Sequence, residues 1–356
     1  MVSSLKDTLN MWQRRRNIIL FLFFFGGFLW FGYWFNRLPA FYTAREESAF
    51  QPGHIVRDHL PALTHPTFES VASADQYLTD DGFGIEVAVN GHRRFYPLQV
   101  LVWHEVVNDT FRGKPLLVTF CPLCRSGAVY ERRVDGEETA FGTAEEVWNS
   151  NILLYDQKTD SLWSQLDGVA RRGSNMGNAL TPYPLRWMKW NEWKQLYPGG
   201  EVLSRNTGFV RDYTLDPYGT YRTNQDVWFL VAKKDDRLAT KERIFGVKIG
   251  DAAAAYPEKT FGTKPIIHDT IGGQPMVIWK DEETGAVSAF ARNTATFVLT
   301  FNREKFGIMD AETKSVWNAD GAAVEGRLKG KRLERLPVVP SFWFCWFAAH
   351  PETALR

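Results

Sequence analysis

Cysteine is scarce in this sequence, with three in 356 residues. That count excludes the disulfide framework of small secreted domains. Neither charge sign is in excess, since 42 Lys and Arg stand against 41 Asp and Glu for a net +1. There is no basic surface of the kind a phosphate backbone selects, so nucleic acid is not expected as a partner. A glycine-rich phosphate loop is missing too, because Gly26-Gly27 falls inside an apolar run, and no nucleotide cofactor is expected. Ser126 and Ser164 lack the surroundings of a nucleophile elbow. What is plentiful is apolar and aromatic: 44% and 15% of the residues, with 14 tryptophans. A chain of this length and composition can bury the cores of two ordinary domains.

Charge is absent altogether from Ile18 to Phe35. As a helix those 18 residues would reach about 27 Å, close to the thickness of a bilayer core. The sequence therefore predicts a transmembrane anchor over 17–36. Arg14-Arg15-Arg16 precede the run, whereas Glu46 and Glu47 accompany the first arginines after it, which places residues 1–16 in the cytoplasm. The bulk of the chain is then extracytoplasmic, the protein single-pass in the inner membrane, and a neighbouring membrane protein a candidate partner. Residues 37–83 are polar, contain proline, and read as a lead-in arm carrying His54, His59 and His65.

From Ile85 onward short strands alternate with turn signals. Asn90-Gly91 and Asp135-Gly136 mark hairpins. Pro97 to Val107 is expected as a short helix ending at His104 and Glu105, and Trp187 to Tyr197 as a Trp-rich helix. The expected class is α+β and strand-rich. Residues 84–200 and 244–356 moreover align as two tandem diverged copies of one domain, joined by a linking segment at 201–243. Tyr96-Pro97, Asp109-Thr110, Gly113 and Pro115 recur 160 positions later. Asp156, Thr159, Ser161 and Trp163 recur at an offset of 154, and Pro184, Trp190, Trp193 and Pro198 at 153. Residues kept in both copies are read as scaffold. Cys121, Cys124 and His104 are replaced in the second copy by Asp281, Thr284 and Lys264, so they are free to carry chemistry.

Five blocks, WHEVVND, TFCPLCRSGAVY, NSNILLYDQKTDSLWSQ, SRNTGFVRDYTLDPYG and KERIFGV, resemble in that order the bacterial and archaeal family called Domain of Unknown Function 3179. The resemblance covers nearly all of the chain beyond the anchor. It implies a shared set of two cysteines, a His-Glu pair and an Asn-Ser pair, here Cys121 and Cys124, His104 and Glu105, and Asn149 and Ser150. It implies no activity. Arg125 is a departure from the resemblance, which implies Gly or Asn after the second cysteine in many relatives.

Cys121-Pro122-Leu123-Cys124 joins two apolar, β-branched runs, so both thiols sit on a tight connection between strands. Three readings of that motif remain open. Cys121, Cys124 and His104, with Glu105 or water as a fourth ligand, could hold copper or zinc, since sulfur and imidazole suit those ions. The cysteines could cycle between dithiol and disulfide. They could instead form a structural CxxC disulfide in a metal-free scaffold or binding protein. Cys345, in an aromatic cluster, reads as core. Reaction and small-molecule substrate stay undetermined.

Overall fold

The computed structural model describes residues 49–356 apart from His54 and Phe306. The expected anchor at 17–36 and cytoplasmic end at 1–16 lie outside the described residues, and among those residues no helix is long and apolar enough to cross a membrane. The single-pass, extracytoplasmic placement therefore has no support in the described structure.

The α+β expectation is corrected to a mostly-β fold. Its longest described α-helices are Trp190–Leu196 and Trp343–Ala349, of seven residues each. The helix expected over 97–107 stops after Leu98–Leu101. Glu105 takes a left-handed backbone with φ +59°, which breaks the helical run. The β-branched pair Val106 and Val107 then enters a strand, Val106–Phe111, opposite Thr119 and Val118. The Trp-rich helix begins at Trp190 rather than Trp187, because Arg186–Lys189 pairs with Phe83–Val89 as a strand.

Turn chemistry sets the hairpins. Phe83–Val89 and His92–Pro97 pair with Val89 opposite His92. Asn90 and Gly91 between them hold φ +50° and +82°, the two positive values a type I′ turn requires. Arg133–Val134 and Glu137–Glu138 meet the same way across Asp135-Gly136.

One strand order recurs along the chain. Arg186–Lys189, Phe83–Val89, His92–Pro97 and a parallel Glu201–Leu203 make one sheet. Val339–Phe342, Arg243–Ile249, Ala252–Pro257 and a parallel Ala354–Leu355 make another in the same order. The meander Val106–Phe111, Lys114–Cys121, Ser126–Glu131 has its counterpart in Ile266–Ile271, Gln274–Lys280, Val287–Ala291. Residues shared by the two halves do the same structural work. Tyr96 donates to Asp109 at 2.6 Å and Tyr256 to Asp269 at 2.7 Å. Asp156 accepts from the Thr159 hydroxyl and the Trp163 indole, and Asp310 accepts from Thr313 and Trp317.

The halves share buried material. One core cluster joins Leu117, Cys121, Leu123 and Tyr130 of the leading half to Phe342, Phe344, Cys345 and Ala348 of the trailing half. The Phe342 N–H also donates to the Cys124 carbonyl at 2.8 Å. Elsewhere on the boundary an ion network links Glu86, Arg93 and Arg186 to Asp320 and Arg335. Burial would push the Glu86 carboxyl up, but Arg186 and Arg93 outweigh it and hold it at about 2. The linking segment carries little regular structure. Asx turns brace it: Asp212 accepts the Thr214 N–H, Asp216 that of Tyr218, and Asn224 that of Asp226.

Candidate functional site

The cysteine turn links Lys114–Cys121 to Ser126–Glu131, with Cys121 opposite Ser126. Pro122 to Arg125 fill the four-residue connection, closed by the Arg125 N–H on the Pro122 carbonyl at 3.3 Å. Arg125 sits at φ +46°. Glycine or asparagine enters that region readily, which makes the arginine the strained choice.

Cys124 is disulfide-bonded to Cys345 on the helix Trp343–Ala349, with Cα atoms 5.6 Å apart. Neither a structural CxxC disulfide nor a cycling Cys121–Cys124 pair is therefore what the structure holds, and Cys345 is more than core packing. Cys121 is a free, fully buried thiol. Burial, reinforced by the nearby Glu105 carboxyl, pushes it up to about 12 against the pull of the Ile152, Cys124 and Leu123 amides. A thiol so placed is a poor nucleophile at neutral pH.

The donors expected for a copper or zinc centre are not gathered among the described residues. Cys124 has spent its sulfur, and both His104 nitrogens are occupied. Nδ1 lies 2.8 Å from the Pro61 carbonyl and Nε2 2.7 Å from the Tyr213 hydroxyl. A carbonyl can only accept, so Nδ1 carries the proton and Nε2 accepts from Tyr213. Burial lowers the imidazole pKa. Among the described residues no group of three His, Cys, Asp or Glu side chains is gathered for a metal ion. The donor set Cys121, Cys124, His104 and Glu105 thus does not fit the metal expected for it.

Glu105 has a different fate from its neighbour. Its carboxylate is 1% exposed, accepts one hydrogen bond from the Tyr218 hydroxyl at 2.9 Å, and has no salt-bridge partner among the described residues. Burial dominates and pushes it up to about 8, the Tyr218 hydrogen bond working weakly against it. Asn149 and Ser150 form the two-residue connection between Phe141–Trp148 and Asn151–Asp156, at φ +51° and +62°, and the Ser150 carbonyl lies 3.5 Å from the Cys124 sulfur. Both positive values again describe a type I′ turn, but Ser150 gains nothing from its left-handed backbone and costs about 1 kcal/mol there. Its hydroxyl is buried without a well-formed hydrogen bond, as is that of Tyr221. The two hydroxyls are near enough for Ser150 to oppose the rise that burial imposes on the phenol. Lys241 packs over the Tyr221 ring and donates to the Tyr221 carbonyl. Burial lowers its amine to about 8.

Behind the turn a satisfied amide network fixes the backbone. Ser126 and Asn151 both donate to Gln165 Oε1, at 2.7 and 3.1 Å, and Gln165 donates to the Thr119 hydroxyl at 3.0 Å. The structure thus brings Cys121, Cys124, Glu105 and Ser150 into one buried neighbourhood and leaves His104 bonded elsewhere. Tyr218, Tyr221 and Lys241 come from the linking segment and were not foreseen. Tyr218 and Lys241 fall within the blocks SRNTGFVRDYTLDPYG and KERIFGV that carry the family resemblance, but neither block marks them as site residues.

Two cavities flank the cysteine turn. One, of about 330 Å³, is walled by Trp103, Leu123, Ile152, Tyr218, Trp228 and Phe229, with Glu105 among its lining. Trp228 stacks on Tyr218 at 5.9 Å between centroids and is half exposed at 53%. The other, of about 380 Å³, takes Pro122 and Arg125 from the same turn.

The family model described as "Protein of unknown function (DUF3179)" matches residues 57–353. No curated protein and no solved structure matches the chain.

Proposed function

The chain belongs to the DUF3179 family, whose description assigns no activity, and we propose that it is a ligand-binding protein whose aromatic cavity takes an organic cation on Glu105. The observation that carries this reading is a carboxyl group fully buried in the wall of an apolar, aromatic cavity, with one phenol for company and no salt bridge. A carboxylate removed from water without a counter-charge costs several kcal/mol and takes up a proton instead. A ligand that brings its own positive charge removes that cost. The walls suit the same ligand, because Trp103, Tyr218 and Trp228 offer ring faces that attract an ammonium group. The ligand class is an amine or quaternary ammonium attached to an apolar body that fills the cavity. The Cys124–Cys345 bond serves this site by pinning the turn that presents Leu123 to it.

Calorimetry with 2-phenylethylamine and with 2-phenylethanol tests the proposal. The amine is expected to bind and the alcohol not. Because Glu105 is protonated at neutral pH and must ionise to pair with the cation, binding at pH 7 should release close to one proton. Affinity should rise by up to about tenfold per pH unit from pH 6 to pH 8. Glu105→Gln should abolish the preference for the amine and the proton release together. Equal binding of amine and alcohol, or an unchanged Glu105→Gln variant, sinks the proposal.

A further inference from the structure

On the opposite side of the cysteine turn the second cavity, about 380 Å³, has walls that include Phe83, Leu98, Phe120, Trp190 and Tyr213. Two guanidinium groups line it, those of Arg125 and Arg222. Arg222 is neutralised by Asp216 at 2.6 Å, and Arg243 close by has Glu258 at 3.5 Å. Arg125 has neither salt bridge nor hydrogen bond from its side chain among the described residues, and its Nε is buried without a partner. Its guanidinium lies over the Phe83 ring, 6.0 Å from the centroid. A guanidinium offers five donors in a fixed fork, and leaving one half-buried and unpaired beside two others of like charge is unfavourable. Burial, then Arg243 and Arg222, depress it to about 10. The backbone adds strain at this position as well.

We propose that this cavity binds a small organic monocarboxylate, its carboxylate forked by the Arg125 guanidinium and its apolar body laid against the aromatic wall. A planar carboxylate matches the fork with two parallel hydrogen bonds. Asp81 and Asp216 also line the cavity. They argue for a single negative charge, since a phosphate dianion would meet both. This site is separate from the Glu105 cavity, takes ligands of the opposite charge, and stands whether or not that cavity binds amines.

Titration of the full chain with benzoate, benzyl alcohol and inorganic phosphate, followed by calorimetry, tests it. Benzoate is expected to bind more tightly than either control and to weaken as salt is raised. Arg125→Gln and Arg125→Lys should each weaken benzoate about tenfold or more, since the lysine keeps the charge but loses the fork. The Glu105→Gln variant should bind benzoate as the wild type does. Thermal unfolding of each variant at the wild-type midpoint will show that its fold is intact. Failure of benzoate to bind the wild type, undiminished binding by Arg125→Gln, full rescue by Arg125→Lys, or phosphate binding as tightly as benzoate overturns the proposal.

Discussion

Ser150 concentrates two unfavourable features in one residue, a left-handed backbone and a buried hydroxyl with no well-formed hydrogen bond. Ser150→Gly should therefore stabilise the protein by about 0.5–1 kcal/mol despite glycine's larger unfolded-state entropy. Ser150→Ala, which removes only the hydroxyl, should gain less. Urea unfolding midpoints of the two variants decide it, and a destabilised Ser150→Gly would mean that the hydroxyl has a partner. Strain of this kind gathers where function does, and Glu105, Arg125, Asn149 and Ser150 all hold positive φ around the cysteine turn. Other left-handed residues, such as Asn90, Arg112 and Asp135, precede glycines in ordinary hairpin turns.

The cysteine hairpin is held from outside its own sheet by the helix Trp343–Ala349, through the Cys124–Cys345 bond. That bond closes a loop of 221 residues in sequence separation, and its loss is expected to cost about 2–5 kcal/mol. A Cys124→Ala and Cys345→Ala double variant should unfold at correspondingly lower denaturant. Non-reducing electrophoresis of the wild type should show a compact band that slows on reduction, and an unshifted band would refute the pairing. Local signals in the sequence predicted much at this scale. Asn90-Gly91 and Asp135-Gly136 marked their hairpins because two positive φ values demand those residues. The cysteine turn was legible for the same reason, as two β-branched runs around a proline. The disulfide partner was not, because nothing within ten residues of Cys124 distinguishes Cys121 from Cys345 as its mate. The expected metal centre failed on that point and on His104, whose two ring partners, Pro61 and Tyr213, lie 43 and 109 positions away. Glu105 is gathered with no pair of further metal donors among the described residues, and its one hydrogen-bond partner, Tyr218, lies 113 positions away in the linking segment.

Across the whole molecule, the ion network of Glu86, Arg93, Arg186, Asp320 and Arg335 ties the leading sheets to the trailing ones. Arg186 and Arg93 overcome burial to hold both Glu86 and Asp320 at about 2. The folded values lie below the unfolded ones, so the network's stabilisation is fully present above about pH 4.5 and is lost as pH falls towards 2. Stability measured by denaturant titration should accordingly decline steeply through that window. A Glu86→Gln and Asp320→Asn double variant should be less stable at pH 6 and should show a shallower decline, and an unchanged slope would place the acid sensitivity elsewhere.

Pro122 and Leu123 are neighbours in sequence, yet they line different cavities. The cysteine turn is thus a bulkhead with a cavity on each face, riveted to a distant helix by a covalent bond. Cutting that rivet would loosen both compartments together.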